Sequence, residues 1–363
     1  TSTTAIKVEI GCELEDWNSA GSGGSGDSGE GGEGSGEGDE DLSMYIDLSA
    51  PGTANCYLVK QAGDYRFKAV IGNTDATVGN VKSVDVLWES FGTDVMPNVG
   101  DLIAEASYKN GYICFSTPEN FKNGNAVIAA KNSKGTILWS WHIWCAEEGW
   151  QEQVYYNDAG TMMDRNLGAT SATPGDVGAL GLMYQWGRKD PFLGSSSISS
   201  TVLAVSTGTW NITSDGSTLK AEANPMTFYT NMRLPDGSWE STKTVYDPCP
   251  AGWRVPEGGE NGVWAKALGS GASFSNKFDN INRGCNFSGK FGQSETIWYP
   301  ASGCRYFNNG RLDDVGSYGY YWSASPLRSN AYDLYFGSTY SVSPSNNIDR
   351  AYGCSVRCLQ ETK

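Results

Sequence analysis

The chain has 363 residues, a formal net charge of −15, 12% aromatic residues and 18% charged residues. This length suits two domains with tails or linkers, and the acidic balance argues against nucleic acid as a partner. No apolar run reaches the roughly 18–20 residues that span a bilayer, so we expect no membrane span. Scarce charges and 46 glycines favour short strands and turns, which predicts a mainly β protein with minor α content.

Residues 1–17 contain one strand signal, because apolar and charged residues alternate from Ile6 to Ile10. A lone strand is not stable by itself, so this segment is either the end of a missing domain or a strand-pairing segment. Residues 18–42 are predicted to be a Gly/Ser/acidic linker, since they include seven acidic and no basic residues. We expect this linker to be disordered.

Residues 43–148 alternate short apolar runs with turn signals, which predicts an immunoglobulin-like β-sandwich. The Asn110-Gly111 pair predicts a hairpin turn, and residues 132–135 predict another turn. The runs expected to form strands are Tyr57–Val59, Tyr65–Ile71, Val84–Trp88, Ile103–Tyr108, Tyr112–Phe115, Ala126–Ala130 and Thr136–Trp144.

The last of these runs has two distinct faces. One is predicted to carry Ile137, Trp139, Trp141 and Ile143, and the other Leu138, Ser140, His142 and Trp144. His142 is the only histidine, and no Cys or Asp stands at ligand spacing from it. We interpret it as an ordinary strand residue and expect no metal, no cofactor and no catalytic residue.

Nine cysteines are spread along the chain without a Cys-x-x-Cys pair, which excludes a zinc ribbon and a thioredoxin-type site. An exported protein with one or two disulfides plus unpaired thiols fits this pattern. The chain begins at Thr1 without a signal peptide, as a mature or trimmed form would.

Residues 149–361 contain two distinctive motifs, Asp247-Pro-Cys-Pro-Ala-Gly-Trp-Arg-Val-Pro256 and the closing Ser355-Val-Arg-Cys358. A short helix is predicted between them, at Gly262–Leu268. On these motifs the region resembles the FISUMP domain, whose family is similar to the C-type lectin and formylglycine-generating-enzyme folds. The resemblance implies a C-type-lectin-like α+β domain that binds a ligand.

The preceding residues carry a second resemblance. With Ala54-Asn-Cys-Tyr57 and Leu138-Trp-Ser-Trp-His-Ile-Trp144, residues 43–148 look like the sandwich domain of Bacteroidales fimbrillin-like surface proteins. Together the two resemblances predict an N-terminal strand, an acidic linker, an immunoglobulin-like sandwich and then a lectin-like domain.

The C-terminal stretch also resembles the variable region of a diversity-generating retroelement target protein. From Ala301 to Gln360 there are eight Tyr, ten Ser, five Arg and no Lys, which is the composition of an antibody paratope. The resemblance implies a variable binding face made of Phe307, Asn309, Arg311, Asp313, Tyr318, Tyr320, Leu327, Ser329, Asp333, Tyr335, Gly337, Ser338, Tyr340, Asn347, Asp349 and Tyr352.

The predicted strand Asn330–Phe336 illustrates the expected geometry of this face. Alternation predicts Tyr332, Leu334 and Phe336 on the inward side and Asp333, Tyr335 and Gly337 on the outward side.

Two departures from the families limit what the resemblance implies. The calcium-binding motifs of carbohydrate-binding C-type lectins are absent, so calcium-dependent sugar binding is not implied. Cys249 and Cys358 look like a structural disulfide, which argues against a reactive cysteine pair. Cys285, Cys304 and Cys354 are less readable, and the latter two are randomised slots, another disulfide or unpaired thiols.

We therefore predict a non-enzymatic adhesin or receptor at the cell surface or pilus tip, in an extracellular location. The expected partner is an extracellular protein or glycan on another cell or host surface, with other pilus subunits as a further alternative. The alternative functions are a structural fimbrial subunit without its own ligand and a formylglycine-generating-type enzyme.

Overall fold

The computed structural model describes residues 42–269, 277–339 and 342–362. The strand predicted within residues 1–17 lies outside the described residues, and so does the predicted linker except for Leu42. The described residues all belong to one compact unit.

The first eight strands form two four-stranded sheets, in the orders β1-β3-β6-β5 and β2-β8-β7-β4. Their bounds are β1 Ile46–Asp47, β2 Cys56–Val59, β3 Gly63–Lys68, β4 Ser83–Ser90, β5 Glu105–Lys109, β6 Tyr112–Thr117, β7 Gly124–Lys131 and β8 Ile137–Cys145. All seven predicted runs overlap strands β2 to β8, because each run supplies the alternating apolar side chains that the sheets bury.

The predicted hairpin turn lies between β5 and β6. Asn110 and Gly111 have φ angles of +46° and +85°, and Lys109 pairs with Tyr112. Both residue types tolerate this left-handed backbone, so the turn prediction is confirmed.

The two faces of strand β8 pack against two different hydrophobic cores. Trp139, Trp141 and Ile143 are buried in the core between the two sheets. On the other face, Trp144 belongs to a second core that is shared with residues after 149. The prediction of two distinct faces is confirmed for Trp139, Trp141, Ile143 and Trp144, since the sheet that contains β8 is covered on both sides. It is wrong for Leu138, which packs against the same core as Trp139 because the register of β7 and β8 shifts at this point.

The remaining strands and the two α-helices are short. They are β9 Glu152–Tyr155, β10 Gly160–Met163, β11 Met183–Gln185, β12 Asn211–Thr213, α1 Thr218–Ala223, β13 Thr227–Tyr229, β14 Trp253–Arg254, α2 Val263–Leu268, β15 Phe278–Asp279, β16 Gly284–Asn286, β17 Trp298–Pro300, β18 Cys304–Arg305, β19 Leu312–Asp313, β20 Tyr318–Leu327, β21 Asn330–Gly337, β22 Val342–Asp349, β23 Gly353–Ser355 and β24 Leu359–Gln360. The predictions of a mainly β fold and of the helix that became α2 are confirmed.

The sheet that positions the predicted face has the order β19-β18-β23-β20-β21-β22, with β11 also paired to β23; we call it the C-terminal sheet. One side of it buries Tyr321, Leu334 and Phe336 against a local aromatic core. The other side buries Trp322 and Cys354 in the core that is shared with the N-terminal sheets.

The motif Asp247–Pro256 folds into a compact turn, which we call the Asp247 clasp. It lies where the N-terminal half of the described chain, up to residue 148, meets the C-terminal half, from residue 149. Asp247 accepts hydrogen bonds from the backbone N–H groups of Cys249 (2.9 Å) and Val255 (2.8 Å) and from Lys243 Nζ (2.8 Å). Asn55 on the N-terminal side donates to the carbonyl oxygen of Asp247 over 2.9 Å. The motif therefore has a structural role.

The predicted disulfide is present. Cys249 and Cys358 are bonded, with their Cα atoms 6.1 Å apart and 109 residues of sequence separation. The bond joins the Asp247 clasp to the segment just before β24, so it closes the C-terminal half of the chain on itself.

Candidate functional site

Three of the predicted tyrosines meet on one side of the C-terminal sheet. Tyr320 in β20 pairs with Tyr335 in β21, and Tyr318 is two residues away on the same side. The ring centroids of Tyr318 and Tyr335 are 5.7 Å apart, those of Tyr320 and Tyr335 5.4 Å and those of Tyr318 and Tyr320 6.4 Å. All three side chains are half-buried. We call this group the tyrosine triad.

A carboxylate anchors one member of the tyrosine triad. Tyr320 Oη donates a hydrogen bond to Asp314 Oδ2 over 2.8 Å. Burial, followed by the bond to Asp314, raises the pKa of the Tyr320 hydroxyl, which therefore remains a protonated donor. This contact fixes the orientation of the Tyr320 ring. Asp314 was not among the predicted site residues.

A second aromatic group lies where β18 and β23 leave the sheet. The ring centroids of Phe307 and Tyr352 are 5.1 Å apart, those of Tyr306 and Tyr352 5.3 Å and those of Tyr306 and Phe307 5.0 Å. All three rings are half-buried, and we call them the mixed triad. Tyr306 was missed by the prediction, although its place beside Phe307 and two residues after Cys304 is a signal that could have identified it.

Cys304 lies close to both triads. Burial is the main cause of the raised pKa of Tyr320 and of Tyr352, and Cys304 contributes to the rise at each hydroxyl. Tyr320 and Tyr352 both pack against the core that contains Cys304, so each triad has one member at the border of that core.

The outward placement of Asp333 and Gly337 is wrong, since both are buried. Alternation along β21 is kept, but at this point the side that carries Asp333 and its partner Trp322 is covered by the core in which Trp322 is buried. Gly337 lies opposite Tyr318, at the end of the same strand pair. Tyr335 alone of the three is half-exposed.

On the opposite side of β21, Leu334 and Phe336 are buried, as expected. Tyr332 is half-exposed instead of buried, because it lies at the edge of this core beside Gly258 and Gly259. Alternation thus predicts the side of the strand correctly and the depth of burial only in part.

Asp333 is a buried carboxyl whose only described side-chain hydrogen-bond partner is Asn346. Asn346 Nδ2 donates to Asp333 Oδ1 over 3.0 Å and to Oδ2 over 3.3 Å. Burial raises the pKa of Asp333 to about 7, and the bonds from Asn346 oppose this rise. The group is therefore poised to titrate near neutral pH.

Four other predicted residues lie at the opposite end of the β20–β21 pair. Tyr318 and Leu327 are the two ends of β20, which places them roughly 30 Å apart along the strand. Near Leu327, Asn330 Nδ2 donates to Asn347 Oδ1 over 2.8 Å, and Asp349 forms an ion pair with Arg233. The residues at this distant end are Leu327, Ser329, Asn347 and Asp349.

The remaining predicted residues are placed closer to the triads. Asn309, Arg311 and Asp313 are exposed between β18 and the end of β19. The N–H of Ser338 donates to the carbonyl oxygen of Ser317, next to the tyrosine triad, over 2.9 Å. Tyr340 lies outside the described residues.

His142 is buried in β8, away from these groups. Its Nε2 lies 2.9 Å from Asn125 Oδ1, and burial lowers its pKa to about 3. The ring is therefore neutral at physiological pH. Within residues 42–269, 277–339 and 342–362, no group of three or more His, Cys, Asp or Glu side chains could hold a metal ion.

No helix in the described part of the chain is both long enough and apolar enough to cross a membrane. No curated protein and no solved structure matches the chain. One family model does match it, over residues 259–359, and its description is a domain of unknown function, DUF8237. Both aromatic triads and Cys304 lie within the stretch that is similar to this family.

Proposed function

We propose that this chain is a binding protein, an adhesin or receptor at the cell surface or pilus tip, and not an enzyme. Its partner is an extracellular protein or glycan that contacts the tyrosine triad and the mixed triad. The observation that carries this proposal is the grouping of half-buried aromatic side chains into two triads, each with one member packed against the same core.

The chemistry of the triads suits a macromolecular partner. Tyrosine offers a large contact area with few rotatable bonds and a hydroxyl that hydrogen-bonds at the rim of an interface. Aromatic residues and arginine dominate the energetically important positions of protein interfaces. Arg311 is exposed between β18 and β19, and its guanidinium group can add directional donors.

The proposal includes a finer assignment of the fold. Residues 43–148 are proposed to be an immunoglobulin-like sandwich, which the two four-stranded sheets around one core support. Residues 149–361 are proposed to be a C-type-lectin-like domain, which the FISUMP-like motifs support. Retroelement diversification is proposed for the exposed slots only, so the buried Asp333 and Gly337 are removed from the variable face.

An extracellular location belongs to the same proposal. The Cys249–Cys358 disulfide supports it, because such bonds persist mainly in oxidising compartments.

The test is a comparison of three proteins on arrays of extracellular proteins and of surface glycans. The site variant carries Tyr318→Ala, Tyr320→Ala and Tyr335→Ala. The matched control carries Tyr45→Ala, Tyr108→Ala and Tyr112→Ala, which remove one tyrosine just before β1 and two in β5 and β6 that are also at least partly exposed. A ligand that binds wild type should bind the control with similar affinity and lose about 100-fold or more in affinity for the site variant.

Unchanged binding by the site variant would refute the assignment of the tyrosine triad. Far-ultraviolet circular dichroism of each variant establishes that the comparison is made between folded proteins. Loss of binding in the control variant alone would place the site on the N-terminal sheets instead.

A further inference from the structure

Two buried thiols face each other beneath the mixed triad. Strands β18 and β23 are antiparallel, and Arg305 pairs with Gly353. Continuing this register by one residue along each strand places Cys304 across from Cys354, and the two thiols are not bonded to each other in the structure. Both side chains are buried in the same core, with 2% and 0% exposure.

The neighbouring residues support this register independently. On the other flank of the Arg305–Gly353 pair, the same rule places Tyr306 opposite Tyr352. The rings of these two tyrosines are in contact, with centroids 5.3 Å apart. The antiparallel register therefore holds on the side where it can be checked by a side-chain distance.

The geometry of such a pair is compatible with a covalent bond. Residues directly opposite in antiparallel strands have Cα atoms about 4.5–5.5 Å apart. Disulfides form between residues whose Cα atoms are about 4.4–6.8 Å apart. The two thiols also lie on the same side of the sheet, since cross-strand partners share a side.

We propose that Cys304 and Cys354 form a second, oxidisable disulfide that ties β18 to β23 beneath the mixed triad. The oxidant is a small-molecule disulfide such as oxidised glutathione. One cysteine thiolate attacks it, forms a mixed disulfide and releases one glutathione thiolate. The second cysteine thiolate then attacks the mixed disulfide and releases the other, so two protein thiols are oxidised and one glutathione disulfide is reduced to two thiols.

The surroundings decide when this exchange occurs. Burial is the main cause that raises the pKa of Cys304 and of Cys354, and the negative charge of Asp333 adds to the rise at both. Thiols that remain protonated and covered exchange slowly in the folded protein. The bond therefore forms during folding in an oxidising compartment, or when the strand pair opens.

The cross-link would hold the mixed triad in place, because Tyr306 and Tyr352 each lie two residues from a bonded cysteine. Its formation does not depend on the proposed binding function; only an effect on ligand affinity does. The experiment below measures the bond itself, so its failure and the failure of the proposed function are distinguishable.

The test is to refold the fully reduced chain in a buffer of reduced and oxidised glutathione. The thiols are accessible before the chain has folded, so burial does not slow their exchange. Remaining thiols are alkylated after unfolding in acid, and the chain is digested with trypsin without reduction. Cleavage after Arg350 and Arg357 separates Cys354 from Cys358, and cleavage after Lys290 separates Cys285 from Cys304. Mass spectrometry then identifies each bond separately.

We expect a cross-linked peptide pair that contains Cys304 and Cys354, beside the pair that contains Cys249 and Cys358. Cys285 is the internal control, because it is buried in a different core and should be alkylated. Complete alkylation of Cys304 and Cys354 while the Cys249–Cys358 bond forms would overturn the proposal. A bond from either cysteine to any other residue would also overturn it.

A double variant with Cys304→Ala and Cys354→Ala provides a second readout under the same oxidising conditions. The Cys249–Cys358 bond is intact in both proteins, so the difference reports the proposed bond. We expect wild type to unfold roughly 5 °C above the double variant. A Cys285→Ala variant measures the cost of removing a buried thiol alone, and a shift no larger than that cost would argue against the bond.

Discussion

At the scale of single residues, Asp333 shows how position alone changes the chemistry of a side chain. It lies in β21 two residues before Tyr335, opposite Trp322 and within hydrogen-bond distance of Asn346. Burial disfavours its charged form and raises its pKa from 3.8 to about 7. Between pH 3.8 and about 7, the folded chain therefore holds a proton on Asp333 that the unfolded chain releases.

This difference predicts how stability depends on pH. A carboxyl whose pKa is raised in the folded state contributes its stability fully below pH 3.8 and loses it as pH rises towards about 7. The Asp333→Asn variant cannot ionise, so it avoids this loss. We expect it to be more stable than wild type by roughly 1–3 kcal/mol at pH 8, and by much less at pH 4. Urea denaturation at the two pH values measures the difference.

Asp313→Asn is the matched control for this variant, because Asp313 is an exposed carboxyl in the same sheet. Its free energy of unfolding should follow that of wild type at both pH values. An Asp333→Asn effect of equal size at pH 4 and pH 8 would contradict the assignment of the titration to Asp333.

At the scale of elements, the Asp247 clasp explains a motif that the family resemblance only identifies. Lys243 is buried and donates from Nζ to Asp247, to the carbonyl oxygen of Cys249 and to that of Trp253, over 2.7–2.8 Å. Since the carboxylate also accepts two backbone N–H groups, one side chain holds the whole turn. The turn includes β14, so the hydrogen bonds of Asp247 also support the pairing of β14 with β24.

Removal of the clasp carboxylate should be costly. Asp247→Ala would leave the Lys243 ammonium buried without its counter-charge, which typically costs about 3–5 kcal/mol. Guanidinium denaturation measures this loss. Asp215→Ala breaks an exposed ion pair with Lys220 and should cost less than about 1 kcal/mol. Equal losses in both variants would show that the buried ion pair has no special role.

At the scale of the whole molecule, the two halves of the described chain share a hydrophobic core. Trp88 and Trp144 of the N-terminal sheets are buried with Trp186 and Trp322 from the C-terminal half. A buried hydrogen bond joins the same two parts of the chain, since Lys189 Nζ donates to the carbonyl oxygen of Ser140 over 3.0 Å. A domain boundary between residues 148 and 149 therefore crosses one continuous hydrophobic core.

This shared core predicts a single cooperative unfolding transition. Tryptophan fluorescence and far-ultraviolet circular dichroism should give the same midpoint in urea, since most of the shared core is lost in one step. A fragment of residues 149–363 would expose the surface that Trp144 covers and should be less stable than the intact chain. Two separate transitions, or an equally stable fragment, would show that the halves fold independently.

Much of the local structure follows from the sequence. The seven apolar runs, the Asn110-Gly111 turn and the helix after Gly262 depend on side-chain periodicity and backbone preference within a few residues. The aromatic content of Ala301–Gln360 also indicated which part of the chain to inspect for a binding surface, and Tyr318, Tyr320 and Tyr335 do meet there.

Only the tertiary structure decided which of those residues are exposed and which are near one another. Alternation assigns Asp333 and Tyr335 to one side of β21, but whether that side meets solvent depends on Trp322 and the core above it. The register of β18 and β23 brings Tyr306 to Tyr352 and places Cys304 across from Cys354, while Leu327 and Ser329 lie at the far end of β20. These contacts join residues far apart in sequence, and local patterns carry no information about which distant strand covers a given side chain.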